Sequence, residues 1–368
     1  MIKVLVVDDS ALMRRVLANI LKSQGDFEVA IARDGVEGLA KVHEFQPDVM
    51  TLDVHMPNMD GLTCLNRVMV ERPTRVIMVS SLTEEGADET FEAMQLGAVD
   101  FIPKPDGAVS LAIDDLAPVL IEKIRSACKQ RLRTTRGLAE RVRMRAAQGQ
   151  ATATVRGGER KATTFPPSPS PSLHKAGPVD GIVLVGASTG GPPALDALLS
   201  PLAADFPWPI VIAQHMPASF TGPLARRLDR LCALSVREVV QPEPLIAGHA
   251  YIGKGDADII VVTRREQPLV TAAPPLAEHR WHPSVDRLVT TAMQQLGPQR
   301  LIGVLLTGMG NDGATAMAQL RSEGGRTIAE SEDTAVVWGM PGELVKSGGA
   351  ELVASVDKIA SHLSEWAR

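Results

Sequence analysis

Two short apolar runs in this chain each lead directly into reactive polar residues. One covers residues 4–7 and runs into Asp8 and Asp9, and the other covers residues 182–185 and runs into the glycine-rich stretch 186–191. Runs of this length and composition predict buried strands of a parallel sheet. Because open α/β sheets place their sites at the carboxyl ends of such strands, the chain is expected to hold two sites on α/β sheets.

The first 127 residues alternate between apolar runs and stretches with helical spacing. The runs cover residues 4–7, 29–32, 49–52, 76–79 and 99–102, and the helical stretches cover 11–22, 36–45, 62–71, 84–96 and 108–129. Five strands that alternate with helices of this length predict a doubly wound, five-stranded parallel sheet. We therefore expect one α/β domain over residues 1–127.

The same alternation resumes near residue 181. Apolar runs cover residues 182–185, 210–213, 250–252, 259–262 and 301–306, and helical stretches include 219–232 and 285–296. The total length of 368 residues favours two domains over one. We expect a second α/β domain, with a mostly parallel sheet, over residues 179–368.

The segment between the two predicted domains, residues 128–178, has the composition of a linker. Nine Lys or Arg residues and a single glutamate, Glu140, lie between positions 123 and 145, and a Pro/Ser tract follows at 166–172. Such a segment cannot bury enough apolar surface to fold. An arginine-rich segment could also serve a DNA-binding regulator, but no aromatic residues interleave the arginines, and the net charge of the chain is -5.

The composition indicates a soluble, cytoplasmic protein. The three cysteines have neither a metal-site spacing nor a disulfide pattern, as expected in a reducing compartment. The amino terminus becomes acidic after four apolar residues, which is too early for a signal peptide. No apolar run approaches the roughly 20 residues that span a bilayer, so direct membrane insertion is not expected.

Three acidic residues are predicted to meet at one edge of the first sheet. Asp8 and Asp9 follow the first strand, and Asp53 ends the third. Carboxylates that lie this close need a cation, and hard oxygen ligands suit Mg²⁺. With Ser80 after the fourth strand and Lys104 after the fifth, the site could accept a phosphoryl group. The alternative is that the two adjacent aspartates only cap the first helix.

Residues 1 to about 127 closely resemble a response-regulator receiver domain. The resemblance rests on Val-Val-Asp-Asp-Ser, Leu-Asp-Val-His-Met-Pro-Asn-Met-Asp-Gly and Phe-Ile-Pro-Lys-Pro. It implies that a histidine kinase donates a phosphoryl group to an aspartate with the help of Mg²⁺. The implied roles are phosphorylation at Asp53, metal binding at Asp8, Asp9 and Asp53, and a phosphoryl switch at Ser80, Phe101 and Lys104. His55 departs from the pattern, because the family commonly has glutamate there.

The second predicted site combines a serine, a histidine and an aspartate. Gly-Ala-Ser-Thr-Gly at 186–190 matches the G-x-S-x-G turn that exposes a nucleophile, here Ser188. A serine hydroxyl needs a base, and His215 follows the next apolar run. Asp312 follows the run 301–306 and is the candidate for the acid that orients the base. The alternative for the serine alone is a helix cap in a tight turn.

The glycine loop after residue 307 also allows a dinucleotide-binding interpretation. Gly308, Gly310 and Gly313 fit G-x-G-x-x-G after a strand, and Glu330 follows about 20 residues later. The loop, however, comes late in the domain rather than in its first βαβ unit. That interpretation also leaves the serine and histidine without a role, so it ranks second.

Residues 181–368 closely resemble the catalytic domain of the bacterial chemotaxis protein-glutamate methylesterases. The matching stretches include Gly-Ala-Ser-Thr-Gly-Gly-Pro, Gln-His-Met-Pro-Ala-Ser-Phe-Thr, Pro-Ser-Val-Asp and Leu-Leu-Thr-Gly-Met-Gly-Asn-Asp-Gly-Ala. The resemblance implies a triad of Ser188, His215 and Asp312, with oxyanion positions at Thr189 and Met309 and no cofactor for the ester chemistry. It further implies demethylation of glutamate methyl esters, and deamidation of glutamines, on the cytoplasmic helices of chemoreceptors. The partners would be those receptors and a chemotaxis histidine kinase, with no nucleic acid.

Overall fold

The computed structural model describes residues 1–81, 83–104, 109–129 and 179–367. Two α/β units occupy these ranges, each built on its own parallel sheet. The predicted linker lies outside the described residues except for its first two positions, which end a helix, and residues 130–145 of the arginine-rich segment lie outside as well. Within the described ranges, no helix is long and apolar enough to cross a membrane.

The amino-terminal unit is the predicted doubly wound sheet. Its five strands run parallel in the order β2-β1-β3-β4-β5. They are β1 (Ile2–Val7), β2 (Phe27–Ala32), β3 (Val49–Asp53), β4 (Arg75–Ser80) and β5 (Asp100–Pro103). Residues 4–7 and all of β3 are buried, as continuous apolar runs require when helices cover both faces of a sheet.

Five helices connect and cover these strands. They are α1 (Ala11–Lys22), α2 (Gly35–Phe45), α3 (Gly61–Glu71), α4 (Glu84–Gln95) and α5 (Val109–Lys129). The first four begin where a side-chain oxygen accepts a hydrogen bond from a backbone amide of the first turn, and these capping residues are Ser10, Asp34, Asp60 and Thr83. The helices begin within about one residue of the predicted positions because the caps fix their starts.

The carboxyl-terminal unit contains a seven-stranded sheet in the order β15-β14-β13-β6-β7-β10-β8, in which every pair is parallel. The strands are β6 (Ile182–Ala187), β7 (Ile210–Gln214), β8 (Ser235–Val239), β10 (His249–Gly253), β13 (Leu301–Leu305), β14 (Arg326–Glu330) and β15 (Leu352–Ala354). The helices are α6 (Gly191–Leu199), α7 (Ala218–Leu231), α8 (Val285–Leu296), α9 (Ala314–Ser322), α10 (Met340–Lys346) and α11 (Val356–Trp366).

A small antiparallel sheet accompanies the parallel one. It consists of β9 (Glu243–Pro244), β11 (Asp258–Arg264) and β12 (Gln267–Ala273). The apolar run at 259–262 therefore forms a strand, but outside the parallel sheet. The hairpin turn at Arg265 and Glu266 has positive φ at both residues, but it lacks the Asn-Gly pair that is typical of such turns. The hairpin was therefore not predicted from the sequence.

The two units are in direct contact. The ring of Phe220 on α7 lies 4.4 Å from the ring of Phe101 on β5 and 6.3 Å from that of Phe91 on α4. Around this aromatic cluster, the Asp100 carboxylate accepts a hydrogen bond from Thr189, and Glu122 of α5 pairs with Arg280. The amino-terminal unit thus packs against the second unit at the carboxyl ends of its parallel strands, next to Ser188.

Candidate active site and phosphorylation site

The carboxylates predicted in the first unit lie together. Pairing of Val7 with Leu52 brings the ends of β1 and β3 side by side. Ligand oxygens of Asp8, Asp9 and Asp53 all lie within 4.8 Å of one another. Asp8 and Asp53 are buried, whereas Asp9 is exposed. This set of hard, anionic oxygens fits Mg²⁺, which is bound through a few carboxylates and keeps some of its water.

Lys104 neutralises part of this negative charge. Its Nζ lies 2.8 Å from the Asp53 carboxylate and 3.1 Å from that of Asp8. Burial raises the pKa of Asp53 to about 6, and the charge of Asp8 adds to this effect while Lys104 opposes it. Burial also raises the pKa of Asp8. The negative charge of the site therefore exceeds the positive charge that Lys104 supplies, which fits the predicted Mg²⁺.

The residues predicted for the phosphoryl switch occupy the ends of β4 and β5. Ser80 is buried, and its hydroxyl donates to the carbonyl of Gly86 in the first turn of α4, 3.0 Å away. Phe101 is buried against Phe220 of the second unit. The ring of His55 lies 3.0 Å from the carboxylate of Glu89 on α4, and the backbone amide of His55 donates to the Asp53 carboxylate.

Replacing Asp53 with asparagine is expected to stabilise the protein when Mg²⁺ is absent. The native carboxylate ionises near pH 6, whereas an unfolded aspartate ionises near ~3.9. The stability of the wild type therefore falls as pH rises through this window, and above it Asp53→Asn should gain on the order of 2 kcal/mol. Urea unfolding at pH 8 and pH 5 measures the gain, which should be smaller at pH 5.

The exposed Asp9 provides the control for this measurement. Asp9→Asn removes the same charge from a solvated position and should change the free energy of unfolding little at either pH. An equal gain for Asp53→Asn at both pH values would contradict the burial argument.

The second predicted site also assembles, because the strands that lead into it are neighbours in the order β13-β6-β7. The amide of Ser188 donates to the carbonyl of Thr307, 3.0 Å away, and the amide of His215 donates to the carbonyl of Ala187, 2.9 Å away. Nε2 of His215 lies 2.8 Å from the carboxylate of Asp312. Ser188 follows β6, His215 follows β7 and Asp312 follows β13, so the three residues come after neighbouring strands. Their assignment as a triad stays a prediction.

The turn that carries Ser188 depends on two glycines. Gly190 has a φ of 77°, which L side chains rarely adopt. A Cβ on Gly191 would lie 1.8 Å from the Gln214 side-chain oxygen, so any other residue there would displace the Gln214 amide group. The amide nitrogen of Gln214 in turn donates to the carbonyl of Ser188, 3.0 Å away. The chain therefore reverses sharply at Ser188 and leaves its side chain partly exposed.

Asp312 is a buried carboxylate with several hydrogen-bond donors. Besides His215, it accepts from the amide of Val285 at 2.8 Å, the amide of Asp286 at 3.0 Å and the hydroxyl of Ser284 at 3.1 Å. Burial raises its pKa, but the hydrogen bond and charge of His215 and the backbone amides outweigh burial, so the pKa lies below its usual value. The carboxylate stays ionised and fixes the imidazole.

The other imidazole nitrogen is the one available for proton transfer. Nδ1 of His215 is buried and has no hydrogen-bond partner among the described residues. Because Nε2 is engaged by Asp312, Nδ1 is the atom that can accept a proton from a nucleophile. The indole of Trp281 lies parallel to the imidazole, with ring centroids 5.7 Å apart and an interplanar angle of 2°.

The two predicted oxyanion positions flank the nucleophile. Thr189 follows Ser188 directly and is buried, and its hydroxyl donates to Asp100 of the other unit at 2.5 Å. Met309 follows Gly308, whose missing Cβ would lie 2.8 Å from the Cβ of Ser188. The backbone just before Met309 is therefore close to the serine.

Comparison with known proteins identifies both units. The family model for CheB methylesterase matches residues 183–363, and the model for the response regulator receiver domain matches residues 4–112. A protein of Rhodopseudomonas palustris (strain BisB18) is 52% identical over 370 residues, covering 100% of this chain and 98% of the relative. The chain belongs to the CheB methylesterase family.

Two further relatives were found. A protein of Rhodospirillum rubrum is 51% identical over 366 residues, covering 100% of this chain and 96% of the relative. Both bacterial relatives are named protein-glutamate methylesterase/protein-glutamine glutaminase. The crystal structure of the Thermotoga maritima CheB methylesterase catalytic domain is 36% identical and covers 50% of this chain and 97% of that one, with a TM-score of 0.49.

The glycine loop of this CheB family member is filled by protein atoms rather than open to a dinucleotide. Missing Cβ positions on Gly308, Gly310 and Gly313 would meet side chains at 2.3–2.8 Å, contributed by Met340, Trp281 and Val285. Glu330 is buried and accepts a hydrogen bond from the amide of Thr307, so it is not available to a ribose. The dinucleotide interpretation is therefore not supported.

Three residues of the CheB site were not assigned from sequence. Gln214 and Ser284 support the nucleophile turn and Asp312, and Trp281 lies over His215. Ser284 carries a detectable signal, since it precedes the helical pattern at 285–296 and caps α8. The roles of Gln214 and Trp281 depend on contacts that form only in the folded chain.

Replacing Ser284 with alanine is expected to lower kcat about tenfold and leave KM nearly unchanged. The hydroxyl donates to the Asp312 carboxylate, and a hydrogen bond to a charged group contributes about 1.5–3 kcal/mol. Steady-state ester hydrolysis provides the measurement. Ser284→Thr keeps the hydroxyl and should restore most of the rate; if it is as slow as the alanine variant, the hydrogen bond is not the cause.

Proposed function

We propose that this protein hydrolyses glutamate methyl esters, and deamidates glutamines, on the cytoplasmic helices of chemoreceptors, and that phosphorylation activates it. The observation that carries the proposal is the geometry of His215, which Asp312 holds through Nε2 while Nδ1 stays unpaired beside the serine turn. The names of the two bacterial relatives support the choice of substrate. The products would be methanol and glutamate, as adaptation in chemotaxis requires.

The proposed reaction follows the logic of a serine hydrolase. Nδ1 of His215 takes the proton of the Ser188 hydroxyl while the oxygen attacks the ester carbonyl. Asp312 stabilises the imidazolium that forms. The imidazolium returns its proton to the departing methoxide, and methanol leaves. Water then attacks the acyl-enzyme with His215 as the base, which restores the serine and releases glutamate.

Charge that develops on the carbonyl oxygen needs fixed donors. The backbone amide at Met309 and donors at Thr189 flank the serine, and each donor of this kind contributes about 3–4 kcal/mol to catalysis. A glutamine side chain passes through the same tetrahedral intermediate, with ammonia as the leaving group. The same residues therefore support the glutaminase reaction, and no cofactor takes part in either.

We further propose that the amino-terminal unit inhibits the esterase until Asp53 is phosphorylated. The contacts of Asp100 with Thr189 and of Phe101 with Phe220 place β5 against the serine turn. In this arrangement the hydroxyl beside the nucleophile is engaged by the receiver, and a protein helix has no free approach along that side. Phosphorylation would shift the packing of this interface toward separation.

Phosphorylation is assigned to Asp53, with a histidine kinase as the donor. Asp8, Asp9 and Asp53 would hold Mg²⁺, which neutralises phosphoryl oxygens when bound. Lys104 would contact the phosphoryl group, and Ser80 and Phe101 would change position in response. We place the reaction in the cytoplasm, where free thiols such as the three in this chain persist.

Replacing Ser188 with alanine is expected to reduce methanol release from methylated receptor fragments by about four orders of magnitude or more, because the triad acts as a unit. The measurement compares the phosphodonor-treated variant with the wild type. Ser200→Ala is the matched control, because Ser200 is an exposed serine directly after α6, and this variant should keep full activity. Near-wild-type turnover by Ser188→Ala would exclude the proposed nucleophile.

Removal of residues 1–178 is expected to raise basal esterase activity. This experiment adopts the proposed boundaries, with the receiver at 1–127, the linker at 128–178 and the catalytic domain at 179–368. An inhibitory coupling of the usual size corresponds to an increase of about 5- to 150-fold. The measurement is the rate of methanol release by both proteins without phosphodonor. A truncated enzyme no faster than the intact chain would argue against inhibition by contact.

A further inference from the structure

An aromatic and a basic residue adjoin the catalytic histidine without a role in the chemistry. Trp281 stacks in parallel with His215, and its indole fills the space beside Gly310, where a Cβ would lie 2.8 Å from the ring. The guanidinium of Arg280 lies over the same indole, 5.1 Å from the centroid. Arg280 and Trp281 thus form a strip that leads from the imidazole to the surface.

The guanidinium at the outer end of this strip already binds a carboxylate. Nη2 of Arg280 lies 2.7 Å from the carboxylate of Glu122, which belongs to α5 of the receiver. The Arg280 side chain is 64% exposed in spite of this contact. The receiver therefore places an acidic side chain on the guanidinium that lies over the indole of Trp281.

We propose that Arg280, oriented by Trp281, is a specificity-determining residue that binds a glutamate of the substrate helix next to the ester under hydrolysis. Glu122 occupies that position while the receiver is docked. This inference rests on the proposed function and adds to it the substrate feature that is recognised. Its chemical basis is that each turnover converts a neutral ester into a carboxylate, so a helix with several modified sites becomes acidic as it is processed.

The geometry suits a carboxylate on a helix. Residues four positions apart on a helix lie about 5–6 Å from each other, so a glutamate one turn from the ester reaches a group just outside the active site. A guanidinium stacks on an aromatic face and presents its donors in one plane, which matches a carboxylate. Stacking on Trp281 also limits the motion that Arg280 would otherwise lose on binding.

Arg280 could instead serve only to dock the receiver. In that case its loss would raise basal activity and leave the choice between substrates unchanged. If Arg280 recognises the substrate, its loss also changes the preference of the activated enzyme between two substrates. The two possibilities are therefore distinguished by the ratio of the rates on two substrates, not by the basal activity alone.

The test uses the full chain, treated with a small-molecule phosphodonor and Mg²⁺, and two helical peptides. Each peptide carries one glutamate γ-methyl ester and has either glutamate or alanine four positions away; glutamine is avoided because it is itself a substrate. Methanol release gives kcat and KM for each. The wild type should prefer the glutamate peptide by about two- to fivefold, the size expected for an exposed ion pair, through KM.

Arg280→Gln should lose this preference, and a second arginine provides the matched control. Arg326 also lies over a tryptophan, Trp366, and also pairs with a glutamate, Glu351. It begins β14 at the sheet edge opposite the active site, so Arg326→Gln should keep the preference. Glu122→Gln should raise basal activity and keep the preference too, because it frees Arg280.

An Arg280→Gln enzyme that keeps the wild-type preference would overturn this inference while its methanol release upholds the proposed function. Loss of the preference in Arg326→Gln to the same extent would overturn it too, since general charge would then explain the effect. If the wild type releases no methanol from either peptide or from methylated receptor fragments, the proposed function fails first.

Discussion

Parallel pairing of three strands is the constraint on which the esterase site depends. β6 lies between β13 and β7 and pairs with both in parallel, so the carboxyl ends of the three strands lie side by side. The amide of His215 donates to the carbonyl of Ala187 and that of Ser188 to the carbonyl of Thr307, so the main chain itself fixes Ser188 and His215 relative to each other and to the end of β13. Short loops then have little freedom to misplace them, which matters because displacements of about 1 Å are costly in catalysis.

The two sites use burial of carboxylates in opposite ways. Asp312 is surrounded by donors and remains an anion, and the free energy of desolvation is offset by hydrogen bonds. Asp53 has Lys104 but also Asp8 as a neighbour, so its ionised form is disfavoured. A carboxylate that stays ionised suits the proposed role of Asp312 in orienting a base. A carboxylate whose charge is incompletely compensated suits the proposed role of Asp53, which is to be phosphorylated beside a metal ion.

Much of this arrangement could be predicted from the sequence, because strand ends and caps are local signals. The runs before Asp8, Ser188 and His215 are continuous and apolar, so these three strands were predicted correctly. The hairpin of β11 and β12 was not, since β12 is mostly half-buried and its turn lacks the usual residues. Trp281 and its stacking on His215 could not be predicted, because that contact joins segments that only the folded chain brings together.

The hydrogen bond between Asp100 and Thr189 has a thermodynamic consequence for signalling. Asp100 immediately precedes Phe101 on β5, so one strand carries both the contact with Thr189 and the residue proposed to respond to phosphorylation. Coupling between two sites is reciprocal in free energy. Under the proposed inhibition by docking, a substrate that draws the Thr189 hydroxyl away from Asp100 would favour the phosphorylated receiver to the same degree, so that substrate binding would promote activation of the esterase.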